Sequence, residues 1–219
     1  MDFTIARRNM VEGQIRTNRV TDPLVLSAMK TLPRELFVPK AVQSACYLDE
    51  EIPLGGGRSL MEPMVLARLL QEAAVEDGDV VLVIGAATGY SAAVLAHMAS
   101  TVVALETDHE LADRSSRLMA DLNIDNVAVV TGPLDQGYPQ QSPYDVIFFD
   151  GAVSEVPPAI LDQLREGGRM VAVMQTDADA GVGQACLISR NEGVIGKRTV
   201  FDTKVPLLPG FEPAPAFVF

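Results

Sequence analysis

The sequence is short of positive charge: 17 Lys and Arg stand against 29 Asp and Glu, a formal net charge of −12 at pH 7. Proteins whose main partner is a polyanion carry clustered lysine and arginine. Here only Arg7-Arg8 and Lys197-Arg198 are adjacent basic pairs, which speaks against nucleic acid. Cysteine is scarce as well. Cys46 and Cys186 lie far apart without metal-like spacing, and they read as two buried free thiols of a reducing cytoplasm, with a disulfide as the alternative. The two histidines, His97 and His109, have no Cys or His at ligand spacing, so both read as ordinary helix residues and no metal site is expected. The start, MDFTIARRNM, lacks the apolar run of a signal peptide. No internal repeat or low-complexity linker breaks the 219 residues, which are enough for a full core.

A further absence is local. From Val80 to Leu105, VVLVIGAATGYSAAVLAHMASTVVAL, there is no Asp, Glu, Lys or Arg. About 20 apolar residues can span a bilayer. Against a span, Gly85, Thr88, Gly89 and Ser91 interrupt the run, Glu76, Asp77 and Asp79 precede it, and no basic cluster marks a cytoplasmic side. The stretch reads as a buried strand, a tight turn and a helix.

Around it the chain has two textures. The first third is helical: Ile5, Met10, Val11 and Ile15 form a rough stripe, and Thr21-Asp22-Pro23 starts a helix that ends before Pro33. A short helix is expected around 41–47, then a loop, DEEIPLGGGRSLMEP, and a helix from Pro63. Beyond Val80, strands (80–84, 102–106, 126–131, 145–150, 169–174) alternate with helices (90–99, 109–121, 157–165). Runs such as VVLVI and VIFF suit strands buried on both faces, as in a parallel sheet covered by helices. After Gly183 an antiparallel hairpin turns at Asn191-Glu192-Gly193. The reading is one α/β domain: a helical extension over 1–62, then a Rossmann-like core and C-terminal tail over 63–219. In the tail, prolines 206, 209, 213 and 215 exclude a helix. Leu207, Leu208, Phe211, Phe217, Val218 and Phe219 are too apolar for a free segment. The tail is expected to pack on its own domain or against a second copy.

In such sheets ligands sit at the C-terminal strand ends, where strand order reverses. Here the first strand of the core runs into GAATGY and a helix, so Gly85, Ala86, Ala87 and Gly89 are candidate cofactor contacts at a helix N-terminus. The middle glycine of a dinucleotide fingerprint is missing. Glu106, about 20 residues beyond Gly85 at the end of the second strand, suits a ribose diol. A solvated loop acid is the alternative. Turn and acid together suggest an adenosyl ligand.

MVEGQIRTNRVTDPLVLSAMKTLPRELFVP, IPLGGGRSLMEP, VLVIGAATGYSAAVLA and FDTKVPLLP, in this order and spacing, resemble protein-L-isoaspartate O-methyltransferases over nearly the whole chain. The resemblance implies a Rossmann-like S-adenosylmethionine-dependent methyltransferase fold. It also implies S-adenosylmethionine as donor, and L-isoaspartyl or D-aspartyl residues of damaged peptides and proteins as acceptor. Gly132 joins the candidate cofactor contacts on the same ground.

Four departures fall at the family's chemistry. Val83 and Pro133 stand where the family has acidic cofactor contacts, Ala87 where it has a third glycine, and Met61 where it has a serine associated with the substrate carboxylate. A thioether cannot donate that hydrogen bond. Either Ser59, two residues earlier, takes over part of the task, or Met61 merely packs beneath the following helix with Met64. Asp150 is a gain at the end of the fourth strand, facing the transfer site in many methyltransferases. With Ser59 and Met61 it completes the candidate catalytic set. A charged Asp150 would repel an isoaspartyl carboxylate unless protonated or paired. The leading expectation is a cytoplasmic repair methyltransferase, weakened, monomeric or homodimeric, with no nucleic-acid or membrane partner. The alternatives are a non-catalytic protein on the same fold and a methyltransferase for another small acceptor.

Overall fold

The computed structural model describes residues 2–175 and 181–213. Two capped helices open the chain. In α1 (Phe3–Met10) the Asp2 carboxylate accepts from the N–H groups of Thr4 and Ile5, and in α2 (Pro23–Thr31) Asp22 does the same for Leu24 and Val25. Arg7 pairs with Glu35 at 3.1 Å and so ties α1 to the segment after α2. The helix expected around 41–47 is only a 3-10 turn, Lys40–Val42, followed by turns. The expected loop before Pro63 is a small hairpin, β1 (Ile52–Gly55) with β2 (Arg58–Leu60). Gly55, Gly56 and Gly57 all have positive φ (97°, 58° and 72°), a conformation side chains resist, and so they carry the reversal. Then α3 (Pro63–Ala73) takes a first-turn bond from its Met64 N–H to Asp49.

The core sheet contains β3 (Val80–Ile84), β4 (Thr101–Glu106), β5 (Val127–Thr131), β6 (Tyr144–Val153), β7 (Leu164–Met174), β8 (Gly183–Asn191) and β9 (Val194–Thr203), in the order β5-β4-β3-β6-β7-β8-β9. Pairings from β5 to β7 are parallel, and the last two are antiparallel. The charge-free run is explained by alternation. Val81 and Val83 face one apolar cluster with α2, α3 and α4 (Tyr90–Ala96), while Leu82 and Ile84 face a second one on the opposite side of the sheet. Both faces are dry, so both parities must be apolar. Against the first face lies α5 (His109–Asp121), through Leu111 and Met119. The helix expected over 157–165 shrinks to α6 (Pro158–Leu161), because β7 already begins at Leu164. What closes the second face is the C-terminal segment: Leu208 and Phe211 are buried there, and Phe211 meets Phe149 edge-on at 5.7 Å. The tail therefore packs on its own sheet as far as it is described, while Phe217, Val218 and Phe219 lie outside the described residues. Cys46 and Cys186 are both free and buried. Among the described residues no helix is long and apolar enough to cross a membrane.

Candidate functional site

The chain runs β3, β4, β5 outward and then crosses back to place β6 on the other side of β3. This is the reversal point at which a crevice opens beyond the strand ends. Gly85, at the end of β3 with φ 79°, and Gly151, near the end of β6, form its two lips. The N–H groups of Gly85 and Ala86 both bond the Leu105 carbonyl, at 2.9 and 3.0 Å, which fixes the turn against β4. Gly89 has φ 91°, and a Cβ there would stand 2.2 Å from the Ser115 hydroxyl. Ala87 holds φ 49°, left-handed in spite of its methyl group. From the extension, the Phe37 carbonyl accepts the Thr88 hydroxyl at 2.7 Å, and Phe37 packs edge-on against Tyr90. The N-terminal region thus braces the turn directly.

Glu106 reaches this turn from β4. Its carboxylate is fully buried and accepts from the N–H groups of Ala87 (2.6 Å), Thr107 (2.8 Å) and Asp108 (3.1 Å). Arg58 of β2 completes its surroundings, with Nη2 at 3.4 Å. Gly132 follows β5 and donates its N–H to the Glu106 carbonyl at 3.1 Å. The six expected cofactor residues, Gly85, Ala86, Ala87, Gly89, Glu106 and Gly132, are therefore brought to one end of the sheet.

The three expected catalytic residues meet next to them. Ser59, Met61 and Asp150 line one small cavity together with Gly57, Arg58, Gly151, Val205 and Pro206. Met61 is buried and held by its backbone, whose carbonyl accepts from Arg34 Nη2 at 2.6 Å. It belongs to the core cluster and also lines the cavity. Arg34 is itself wholly buried, its guanidinium 4.9 Å from the centre of the Tyr90 ring, and burial lowers its pKa. A register shift in β6 between Phe148 and Ala152 re-aims Asp150, which accepts the Ser91 hydroxyl at 2.5 Å. Burial pushes Asp150 up to about 6, with the Ser91 hydrogen bond and the Arg58 charge pulling the other way.

Besides Ser91, the partner of Asp150, two residues at the site were missed in the sequence. Arg58 is 4% exposed, and its Nη2 donates to the Gly85 carbonyl. Leu208 is fully buried between the two lips. A Cβ built on Gly85 would lie 2.6 Å from Leu208 Cδ2 and 2.8 Å from Arg58 Nη2, and one on Gly151 would lie 2.5 Å from Leu208 Cδ2. Only the β1–β2 hairpin turns Arg58 inward. The cavity left beside them measures about 10 Å³, room for one water, whereas small-molecule pockets hold roughly 300–1,000 Å³. The framework of glycine turn and buried acid suits an adenosyl group. Arg58 and Leu208 lie across it.

Residues 6–204 match the family model for protein-L-isoaspartate(D-aspartate) O-methyltransferase. A protein-L-isoaspartate O-methyltransferase of Methanoculleus marisnigri is 40% identical over 166 residues, 76% of each chain. A solved protein-L-isoaspartate O-methyltransferase superimposes with a TM-score of 0.82 at 27% identity, over 94% of this chain and 67% of its own. A Plasmodium falciparum structure assigned to the same activity, in complex with S-adenosyl-L-homocysteine, gives 0.78 at 20% identity, over 92% and 97%.

Proposed function

We propose that this chain, which belongs to the protein-L-isoaspartate(D-aspartate) O-methyltransferase family, transfers methyl groups from S-adenosylmethionine to the side-chain carboxylate of L-isoaspartyl or D-aspartyl residues in damaged proteins. One observation carries the reading: the family match spans residues 6–204, and within it Glu106 and the Gly85–Gly89 turn converge on the reversal-point crevice. The bound cofactor supplies an electrophilic methyl group. The acceptor is already ionised at neutral pH, so no strong base is needed, and the protein's task is alignment and exclusion of water. We assign the cofactor cradle to Gly85, Ala86, Ala87, Gly89, Glu106 and Gly132. The acceptor end goes to Ser59, Met61 and Asp150, which share one cavity.

Met61 leaves the acceptor carboxylate without a hydroxyl donor at that position, and Val83 removes an acid, so turnover is slow by enzyme standards. The acceptor is a peptide or protein rather than nucleic acid, in keeping with the net charge of −12. The protein acts in the cytoplasm, as a monomer or a homodimer. Incubation with an isoaspartyl peptide and methyl-labelled S-adenosylmethionine is expected to yield a base-labile methyl ester, absent with the aspartyl control peptide. Equal labelling of the two peptides, or of neither, sinks the reading.

A further inference from the structure

We propose that Arg58 and Leu208 form an internal latch across the donor crevice, so that donor binding requires both side chains to leave it. The inference rests on the reading of that crevice as the S-adenosylmethionine site. Two elements distant in sequence deliver the latch. From the β1–β2 hairpin, Arg58 reaches across the turn, donates to the Gly85 carbonyl and stands 3.4 Å from the Glu106 carboxylate. From the C-terminal segment, Leu208 lies over Gly85 and Gly151. That segment is fixed to the end of β6 by two backbone bonds of 2.8 Å, Ala152 N–H to the Pro206 carbonyl and Leu208 N–H to the Ala152 carbonyl.

Chemistry sharpens the proposal. Glu106 is the one retained carboxylate of the cradle, and in this arrangement its lone pairs are taken by three backbone N–H groups and a guanidinium. A ribose diol must compete with Arg58 for it. Removing either partner of a buried ion pair leaves an uncompensated charge, so the pair resists separation. Yet the pair is incompletely satisfied, since Arg58 Nε has no hydrogen-bond partner among the described residues. The guanidinium also bears on which ligand enters. S-adenosylmethionine carries a sulfonium charge that its demethylated product lacks, so a guanidinium displaced only to the rim of the crevice still repels the donor more than the product. The latch therefore lowers affinity and tilts it toward product.

Calorimetric titration of the wild type, Arg58→Gln, Arg58→Lys and Leu208→Ala with S-adenosylmethionine and with S-adenosylhomocysteine tests this, alongside the isoaspartyl-peptide assay. The expected result is at least tenfold tighter donor binding in Arg58→Gln, with a smaller gain for the product. Arg58→Lys, which keeps the charge, should gain less, and Leu208→Ala should tighten both ligands. Leu208→Ala lies outside the ion pair and keeps the test open should Arg58→Gln fail to fold. Micromolar donor binding by the wild type, unchanged in Arg58→Gln and Leu208→Ala, overturns the latch and leaves the methyltransferase reading standing. No binding and no methyl transfer by any of the four proteins overturns both.

Discussion

Ala87 holds a left-handed backbone at the cofactor turn in spite of its Cβ. A residue with a Cβ pays roughly 1–2 kcal/mol in the left-handed region, and glycine's greater freedom when unfolded takes back roughly 0.5–1 kcal/mol. Ala87→Gly is therefore expected to stabilise the chain by about 0.5–1 kcal/mol, read from the urea midpoint. An unchanged or lower midpoint would mean that the methyl group has contacts outweighing its backbone cost. Asp150 offers a pH signature. Because its folded pKa, at about 6, lies above the unfolded value, its contribution is fully present below about pH 4 and is lost as pH rises through 6. Asp150→Asn should remove that part of the pH 4–6 slope and raise stability at pH 7 by about 3 kcal/mol. Parallel stability–pH curves for the two proteins would refute it. Met61→Ser restores a donor facing the shared cavity; a hydrogen bond to a charged group contributes about 1.5–3 kcal/mol, so methylation of an isoaspartyl peptide should rise about tenfold or more. If the rate does not move, Ser59 already serves the carboxylate. At this scale the sequence disclosed Gly85, Gly89 and Glu106, whose chemistry is tied to a strand end. It hid Ser91 as the partner of Asp150, and Arg58 and Leu208, because their roles exist only once a hairpin and a distant tail have folded over the turn.

Among the elements, the C-terminal segment is the one whose loss is easiest to forecast. Phe211 is 3% exposed against Phe149 on the more thinly covered face of the sheet. Phe211→Ala should cost about 3 kcal/mol, and it should also loosen Leu208, which is bonded to it through the Phe211 N–H and Leu208 carbonyl at 3.1 Å. Thermal denaturation checks the first effect, and tighter S-adenosylhomocysteine binding in the variant would reveal the second. A melting temperature within a degree of the wild type would mean that the segment does not hold this face. The central strands were legible because two dry faces force uninterrupted apolar runs. The stretch 157–165 was misread as one helix. Its last two residues, Leu164 and Arg165, open β7 instead, and just beyond them Gly167 bends with φ 77° and Glu166 accepts from the Gly193 N–H in the β8–β9 turn at 3.1 Å. That tertiary partner lies nearly thirty residues downstream, and no local pattern announces it.

For the molecule as a whole, the N-terminal extension and the core share one apolar cluster, with Phe37, Val38 and Met29 in the same set as Tyr90, Val83 and Phe148. Residues 1–62 are therefore expected to unfold together with 63–219 in a single calorimetric transition. Two resolved transitions, or a cooperatively folding 63–219 fragment, would divide them. The chain carries its own means of watching this. Cys46 lies in the extension, with its thiol pushed up to about 11 chiefly by burial, and Cys186 lies in β8. Only a thiolate in contact with solvent reacts quickly with an alkylating reagent. Neither thiol should label in the native state, so each labelling event records an opening of the structure. Pulse alkylation followed by peptide mass analysis would then time the two halves separately, without a dye or a mutation. Equal rates at Cys46 and Cys186 would mark a molecule that opens all at once, and a faster Cys46 would mark one that lifts its N-terminal brace off the glycine turn first.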